Sequence, residues 1–274
     1  MTKLKLALCQ MNVIDDKREN LKKASSMITS ASKKAEFIVL PEMFNCPYSN
    51  DKFIEYCEEE NNSTTLNTIS ELAKINEVYI LAGSIPEKED NKLFNTSYLF
   101  NKDGKIIAKH RKMHLFDIDV KDKITFKESD VLTAGDNFTI AETEFGKIGI
   151  GICYDVRFPE LARIMVENGA LILFYPGAFN MTTGPAHWEL LFRSRALDNQ
   201  VYCVGVAPAL NETASYHSFG HSIIANPWGE IIAEADLKEE IIFSEIDLKE
   251  IKKVREELPL LKNKRKDLYE VIQR

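Results

Sequence analysis

Nowhere do eighteen apolar residues run together in this chain, so nothing in it reads as a membrane-spanning helix. Cysteine is scarce: five residues, an odd number at irregular spacing, exclude a disulfide framework. Without a C-x-x-C pair, a zinc ribbon is excluded as well. The thiols therefore read as reduced, which sets the expectation of an intracellular protein. Positive charge is in deficit, with 35 Lys and Arg against 42 Asp and Glu for a net charge of −7. That balance argues against nucleic acid as a partner. Linkers, low-complexity segments and repeats of 20–50 residues are missing too. Met1 leads straight into the alternating Leu4, Leu6 and Leu8 with no apolar leader, so the expected location is the cytoplasm.

What is present is ordinary for a globular protein, at 45% hydrophobic and 28% charged residues. A chain of this length buries roughly three quarters of its unfolded surface as one unit, and a single domain over 1–274 is expected. Alternation over Lys3–Met11 predicts a strand, and Leu21, Ala24, Ile28 and Ala31 at helical spacing predict a helix within Asp15–Ala35. Glu36–Leu40 and Val78–Ile85 read as buried strands, with an amphipathic helix over Thr64–Asn76 between them. Leu93–Phe100 and Lys105–Lys109 flank an N-K-D-G turn and predict a hairpin. From Lys112 to about Asn137 no period is clear, and a loop that long is usually functional. A second hairpin, Thr139–Thr143 with Lys147–Ile152, leads to Cys153. Helices over Pro159–Asn168 and Pro185–Asn199 then alternate with strands Leu171–Tyr175 and Val201–Ala207. Short strands around N-P-W-G, a strand Glu240–Ile246 and a helix Leu248–Glu257 complete the pattern. Two mixed sheets with helices outside are the expected class.

Three residues sit where strands end. The run G-I-G-I-C-Y-D stops at Cys153 and turns toward a helix, which lifts a thiol out of the sheet and aims fresh N–H groups at the same spot. A lone cysteine is more often a structural core thiol. Glu42 follows the buried strand Phe37–Leu40, where a carboxylate with a raised pKa suits a general base; a helix cap or surface acid reads equally simply. Lys112 follows Lys105–Lys109 and could be merely solvated. His110 and His114 have i, i+4 spacing, but no H-E-x-x-H pattern supports a metal pair. Cys9 and Cys203 lie within strands and read as core, and Cys46 has no base of its own in sequence.

The order Glu42, Lys112, Cys153, set in P-E-M-F-N-C-P-Y (41–48), K-H-R-K-M-H-L-F-D-I-D-V (109–120) and G-I-C-Y-D-V-R-F-P-E (151–160), resembles the nitrilase superfamily of carbon–nitrogen hydrolases. It is most similar to the ω-amidase, or Nit-type, branch, and the runs 175–191, 193–200 and 220–230 carry the likeness onward. The resemblance implies a four-layer αββα sandwich of two mixed sheets with helices on the outer faces. It implies that Glu42 is the base and Cys153 the nucleophile, and that Lys112 and the backbone N–H of Tyr154 hold the oxyanion. Glu128 would fix Lys112. The substrate would be a small-molecule amide, the ω-amide of a dicarboxylic acid such as 2-oxoglutaramate or 2-oxosuccinamate. A deaminated-glutathione amidase, a nitrilase or a carbamoyl-amide hydrolase is the alternative. No metal, redox or group-transfer cofactor is called for.

For a distal carboxylate Arg157 is the nearest cation by sequence, unless it braces Asp155. Tyr48 and Phe44 are expected to line the pocket beside Glu42. Gly177–Thr183, with Ala178, Phe179 and Thr182, would supply the far wall. The resemblance also implies a homodimer or higher homo-oligomer, associating through the face near the nucleophile's helix; the tail 259–274, the least family-like part, is a further expected interface element.

Overall fold

Alternating side chains in the first strand divide between two cores, and that division sets the layers. In the computed structural model, which describes residues 3–122 and 124–273, β1 (Lys3–Gln10) turns Leu4, Leu6 and Leu8 one way and Ala7 and Cys9 the other. Met1, Thr2, Lys123 and Arg274, within the 1–274 span expected from sequence, lie outside the described residues. The chain continues through α1 (Lys17–Ala31), β2 (Phe37–Val39), α2 (Asn50–Tyr56), α3 (Thr64–Asn76), β3 (Tyr79–Leu81), β4 (Ile85–Glu89), β5 (Lys92–Phe100) and β6 (Ile106–Arg111). A small hairpin, β7 (Asp117–Val120) and β8 (Ile124–Lys127), precedes β9 (Thr139–Thr143) and β10 (Gly146–Ile150). Then come α4 (Pro159–Glu167), β11 (Ile172–Pro176), α5 (Gly184–Asn199), β12 (Tyr202–Val206), β13 (Ile223–Ala225) and β14 (Ile231–Glu234). β15 (Glu240–Asp247), α6 (Lys249–Glu257) and α7 (Leu260–Asn263) close the order.

β1, β2 and β3 run parallel inside a seven-stranded sheet ordered β15-β1-β2-β3-β5-β4, with β6 also paired to β5. A six-stranded sheet, β14-β13-β12-β11-β10-β9, repeats the plan with β10, β11 and β12 parallel. Leu4, Leu6, Leu8, Phe37 and Val39 pack against Ile148, Ile150, Phe174 and Val204, so the two sheets meet face to face. Phe37 stacks on Phe174 across that layer, ring centroids 4.9 Å apart, and each buried ring stabilises the fold by about 1.5–3 kcal/mol. Outside the first sheet lie the apolar faces of α1 and α3, with Ala24, Ile28, Leu66 and Ile69. Outside the second lie α4 and α5, with Ala162, Met165, Trp188 and Phe192. The architecture is the αββα sandwich the resemblance implied.

Three departures from the sequence reading bear on the site. Val78–Ile85 is two strands, because the chain turns at Gly83, φ +32. A Cβ there would stand 1.9 Å from Pro41 O, so only glycine lets this turn press against the residue before Glu42. The aperiodic stretch after Lys112 contains the β7–β8 hairpin, whose two outward polar rows masked its alternation. The polar run at Asn50–Tyr56 forms α2, too short for a helical period to show.

Candidate active site

One strand exit from each sheet opens toward the same point. Beyond β2 the chain runs through Pro41 to Glu42, and Met43 takes φ +50. Beyond β10 it runs through Gly151 and Ile152 to Cys153, which takes φ +48. Cys153 thus does not end the strand, as the alternation to Ile152 had suggested; it opens a 3-10 turn, Cys153–Arg157, ahead of α4. A non-glycine residue in the left-handed region costs on the order of 1–3 kcal/mol and needs support from its surroundings. Asp155 Oδ2 supplies part of it by accepting from Ile152 N at 2.9 Å. Gly177 supplies room, since a Cβ there would come within 3.1 Å of Cys153 Cα.

Glu42, Lys112 and Cys153 are brought together, all buried. Lys112, the residue after β6, donates from Nζ to Glu42 Oε1 at 3.0 Å and to Glu128 Oε1 at 2.9 Å. Glu42 is held on both oxygens: Oε1 also accepts from Asn95 Nδ2 at 2.8 Å, and Oε2 from Ala178 N at 2.7 Å. Glu128 accepts from the Tyr48 hydroxyl at 2.5 Å and, on Oε2, from Phe116 N at 2.6 Å. Every lone pair facing the ammonium is therefore fixed before any ligand arrives. Tyr154 is the second residue of the 3-10 turn, and an N–H at the start of such a turn has no intrahelical acceptor.

Burial is the largest single influence on all three groups, though not always the winning one. It raises the Glu42 carboxyl above its ordinary range, prevailing over the downward pull of Lys112. Burial and then the neighbouring Glu42 push the Cys153 thiol well up, more than Lys112 lowers it. Burial alone would lower the Lys112 ammonium, but Glu128, Glu42 and Cys153 outweigh it and hold the pKa well above the usual lysine value. The raised Cys153 thiol thus faces the Glu42 carboxyl, with the Lys112 ammonium paired beside both. Such a thiol needs its proton removed before it can act as a nucleophile.

The remaining expected residues divide. Ala178 reaches the site through its backbone N–H, and Tyr48 through its hydroxyl, which also lies 3.3 Å from Lys112 Nζ. Arg157 lies over the Phe179 ring at 4.6 Å, meets His187 Nδ1 at 3.1 Å and leaves Nε buried without a partner among the described residues. It does not brace Asp155. That carboxylate is taken by Ile152 N, His110 Nε2 at 3.0 Å, and His114 through N at 3.0 Å and Nδ1 at 2.7 Å. The same contacts use up the two histidines whose spacing had raised a metal pair. Phe44 is a correction: it packs in the core under α1 and α3, while Met43 faces the cavity beside Glu42. Thr182 is a second: half-exposed, it donates its N–H to Asn180 Oδ1 at 2.9 Å on a turn whose side chain is not brought to the cluster. Phe179 supports Arg157 and packs on Trp188, centroids 4.9 Å apart.

Asn95, Asp155, Tyr216 and Ser218 belong to the site and were not among the expected residues. Asn95 had a signal, the polar Asn-Thr-Ser run set between Leu93-Phe94 and Tyr98-Leu99-Phe100 in β5. Tyr216 and Ser218 had none, lying in an irregular segment that the fold alone carries to the Glu42 side.

Sequence comparison matches residues 5–256 to the carbon–nitrogen hydrolase family. The bovine (Bos taurus) omega-amidase NIT2 is 50% identical over 272 residues, 99% of this chain and 98% of that protein. The human (Homo sapiens) omega-amidase NIT2 is 49% identical over the same shares. Among solved structures, Saccharomyces cerevisiae Nit3, a member of branch 10 of the nitrilase superfamily, superposes with a TM-score of 0.89. It is 44% identical, over 96% of this chain and 97% of that one.

Proposed function

The chain belongs to the carbon–nitrogen hydrolase family, and from that premise we propose that it is a thiol-dependent ω-amidase, releasing ammonia from small dicarboxylic acid monoamides such as 2-oxoglutaramate and 2-oxosuccinamate. The observation that carries the reading is the buried carboxylate–ammonium–thiol cluster, with Lys112 Nζ 3.0 Å from Glu42 and 2.9 Å from Glu128. Glu42 takes the Cys153 proton as sulfur attacks the amide carbon. The oxygen that becomes negative is held by Lys112 Nζ and Tyr154 N–H, each donor worth roughly 3–4 kcal/mol in such sites. Glu42 then hands its proton to the departing nitrogen, and ammonia leaves a thioester on Cys153. Water, deprotonated by Glu42, completes the turnover to the dicarboxylate.

Arg157 is the cation we assign to the distal carboxylate of the substrate. Its unpartnered Nε and its place near Cys153 suit a forked carboxylate. We assign the whole chain, 1–274, to one catalytic domain acting in the cytoplasm as a homodimer. Exposed Leu190 and Leu197 on α5, with Leu268 and Tyr269 on the tail, support an interface over α4 and α5; sedimentation at monomer mass would remove that part. Among the described residues no helix is long and apolar enough to cross a membrane.

Ammonia release from 2-oxoglutaramate, glutamine and a simple nitrile tests the specificity. The oxoamide should be turned over best, and Cys153→Ala and Glu42→Gln should each abolish the activity. Comparable rates on the nitrile, or a Glu42→Gln enzyme as fast as the parent, would reject the assignment.

A further inference from the structure

A small cavity of about 30 Å³ lies against Glu42. Apolar Val13 and Ala209 line it together with Glu42, Tyr48, Ala178, Tyr216 and Ser218. About 10–15 Å³ of such space seats one water, whereas pockets for organic ligands run to roughly 300 Å³ or more. By size this cavity seats a water, beside the Tyr48 and Ala178 groups that reach the catalytic cluster.

Its walls are also chemically disposed for one. Ser218 is 5% exposed, yet its Oγ finds no hydrogen-bond partner among the described residues. The Ser218 backbone is held to Asn180 by a β-bridge, which fixes where the residue sits on the cavity wall. The Tyr216 hydroxyl donates to Ala178 O and stands beside the same cavity. Glu42, the group that must take a proton from water, forms the third polar wall. A buried water needs two to four polar partners, and Ser218, Tyr216 and Glu42 all line this cavity.

We propose that Ser218 is a positioning residue for deacylation, holding the water that hydrolyses the Cys153 thioester in this cavity until Glu42 activates it. The inference rests on the thioester mechanism above. Glu42 removes one proton from the water as its oxygen bonds to the thioester carbon. The tetrahedral intermediate then expels sulfur, the C–S bond breaks, and Glu42 returns the proton to Cys153. Ammonia release, the earlier half of the cycle, makes no use of this water.

The test is partitioning of the acyl-enzyme between water and added hydroxylamine during turnover of 2-oxoglutaramate, read as the ratio of acid to hydroxamate. Ser218→Ala should lower that ratio about tenfold while the first-turnover ammonia burst stays within about twofold of the parent. Ala209→Val, which fills the same space from the apolar wall and keeps the hydroxyl, should lower it in the same direction. A parental ratio in either folded variant overturns the proposal, as does equal slowing of acylation and deacylation in Ser218→Ala. If the parent itself releases no ammonia and forms no hydroxamate, the amidase reading fails and the water site falls with it.

Discussion

Replacing Lys112 by methionine keeps an unbranched apolar stem and removes the cation that touches both Glu42 and Glu128. Two fully buried carboxylates are then left side by side without a countercharge. Deleting one partner of a buried ion pair costs about 3–5 kcal/mol. For a domain of this size that corresponds to a drop in Tm of roughly 6–20 °C. The loss should depend on pH, and its sign follows from linkage. Without the ammonium, the folded pKa of the Glu42 carboxyl rises further above its unfolded value of about 4.3. A carboxyl with a raised folded pKa opposes folding above that range and stops doing so once the medium protonates it. The deficit of the variant is therefore largest at pH 8 and shrinks toward pH 5. Turnover falls separately, by about 10²–10³, through the lost oxyanion donor. Thermal unfolding followed by circular dichroism at pH 5, 6.5 and 8, with ammonia release at each, measures both effects. In Lys112→Met/Glu128→Gln one anion leaves with the cation, so much of the stability should return while activity stays low. A single variant within about 2 °C of the parent at pH 8, or a deficit independent of pH, would refute the charge accounting.

Arg157→Gln should raise KM for 2-oxoglutaramate by about 10–100-fold with little change in kcat, and leave a simple neutral amide almost unaffected. Equal losses on both substrates would take the distal carboxylate away from Arg157. Asp155 is held below the usual carboxylate range because hydrogen bonds from His110, His114 and Ile152 outweigh burial. Its contribution to stability is thus present above the ordinary aspartate pKa of about 3.9 and is lost as pH falls through the lower folded value. Asp155→Asn, which cannot accept all four of those bonds, should cost about 1–3 kcal/mol in urea unfolding at pH 7. The difference from the parent should narrow in acid, and a difference that widens there would contradict the assignment.

Much of the fold was legible because period and composition are local properties. Wholly apolar Phe37–Val39 and Ile172–Pro176 announce buried parallel strands, and Leu66, Ile69 and Ala73 announce a helix lying on a sheet. The β7–β8 hairpin and α2 escaped because their packing partners, among them Tyr48 with Phe53 and Phe126, lie elsewhere in the chain. The residues of the cluster could be named from their motifs, but neither Ala178 N on Glu42 nor the Asp155 carboxylate beneath the Cys153 turn has a local signature.

Side-chain order alone determined the layers, because alternation in strands and a 3.6-residue period in helices decide which faces must be buried. It determined as well that a glutamate, a lysine and a cysteine would each stand at a strand exit. Only the packed structure decided how they act on one another. Pairing of the two sheets encloses the space between their exits, and there burial raises both the thiol and the carboxyl, while two acidic side chains hold the ammonium. Those shifts belong to the enclosure and to distances set by residues up to 136 positions apart, as between Glu42 and Ala178.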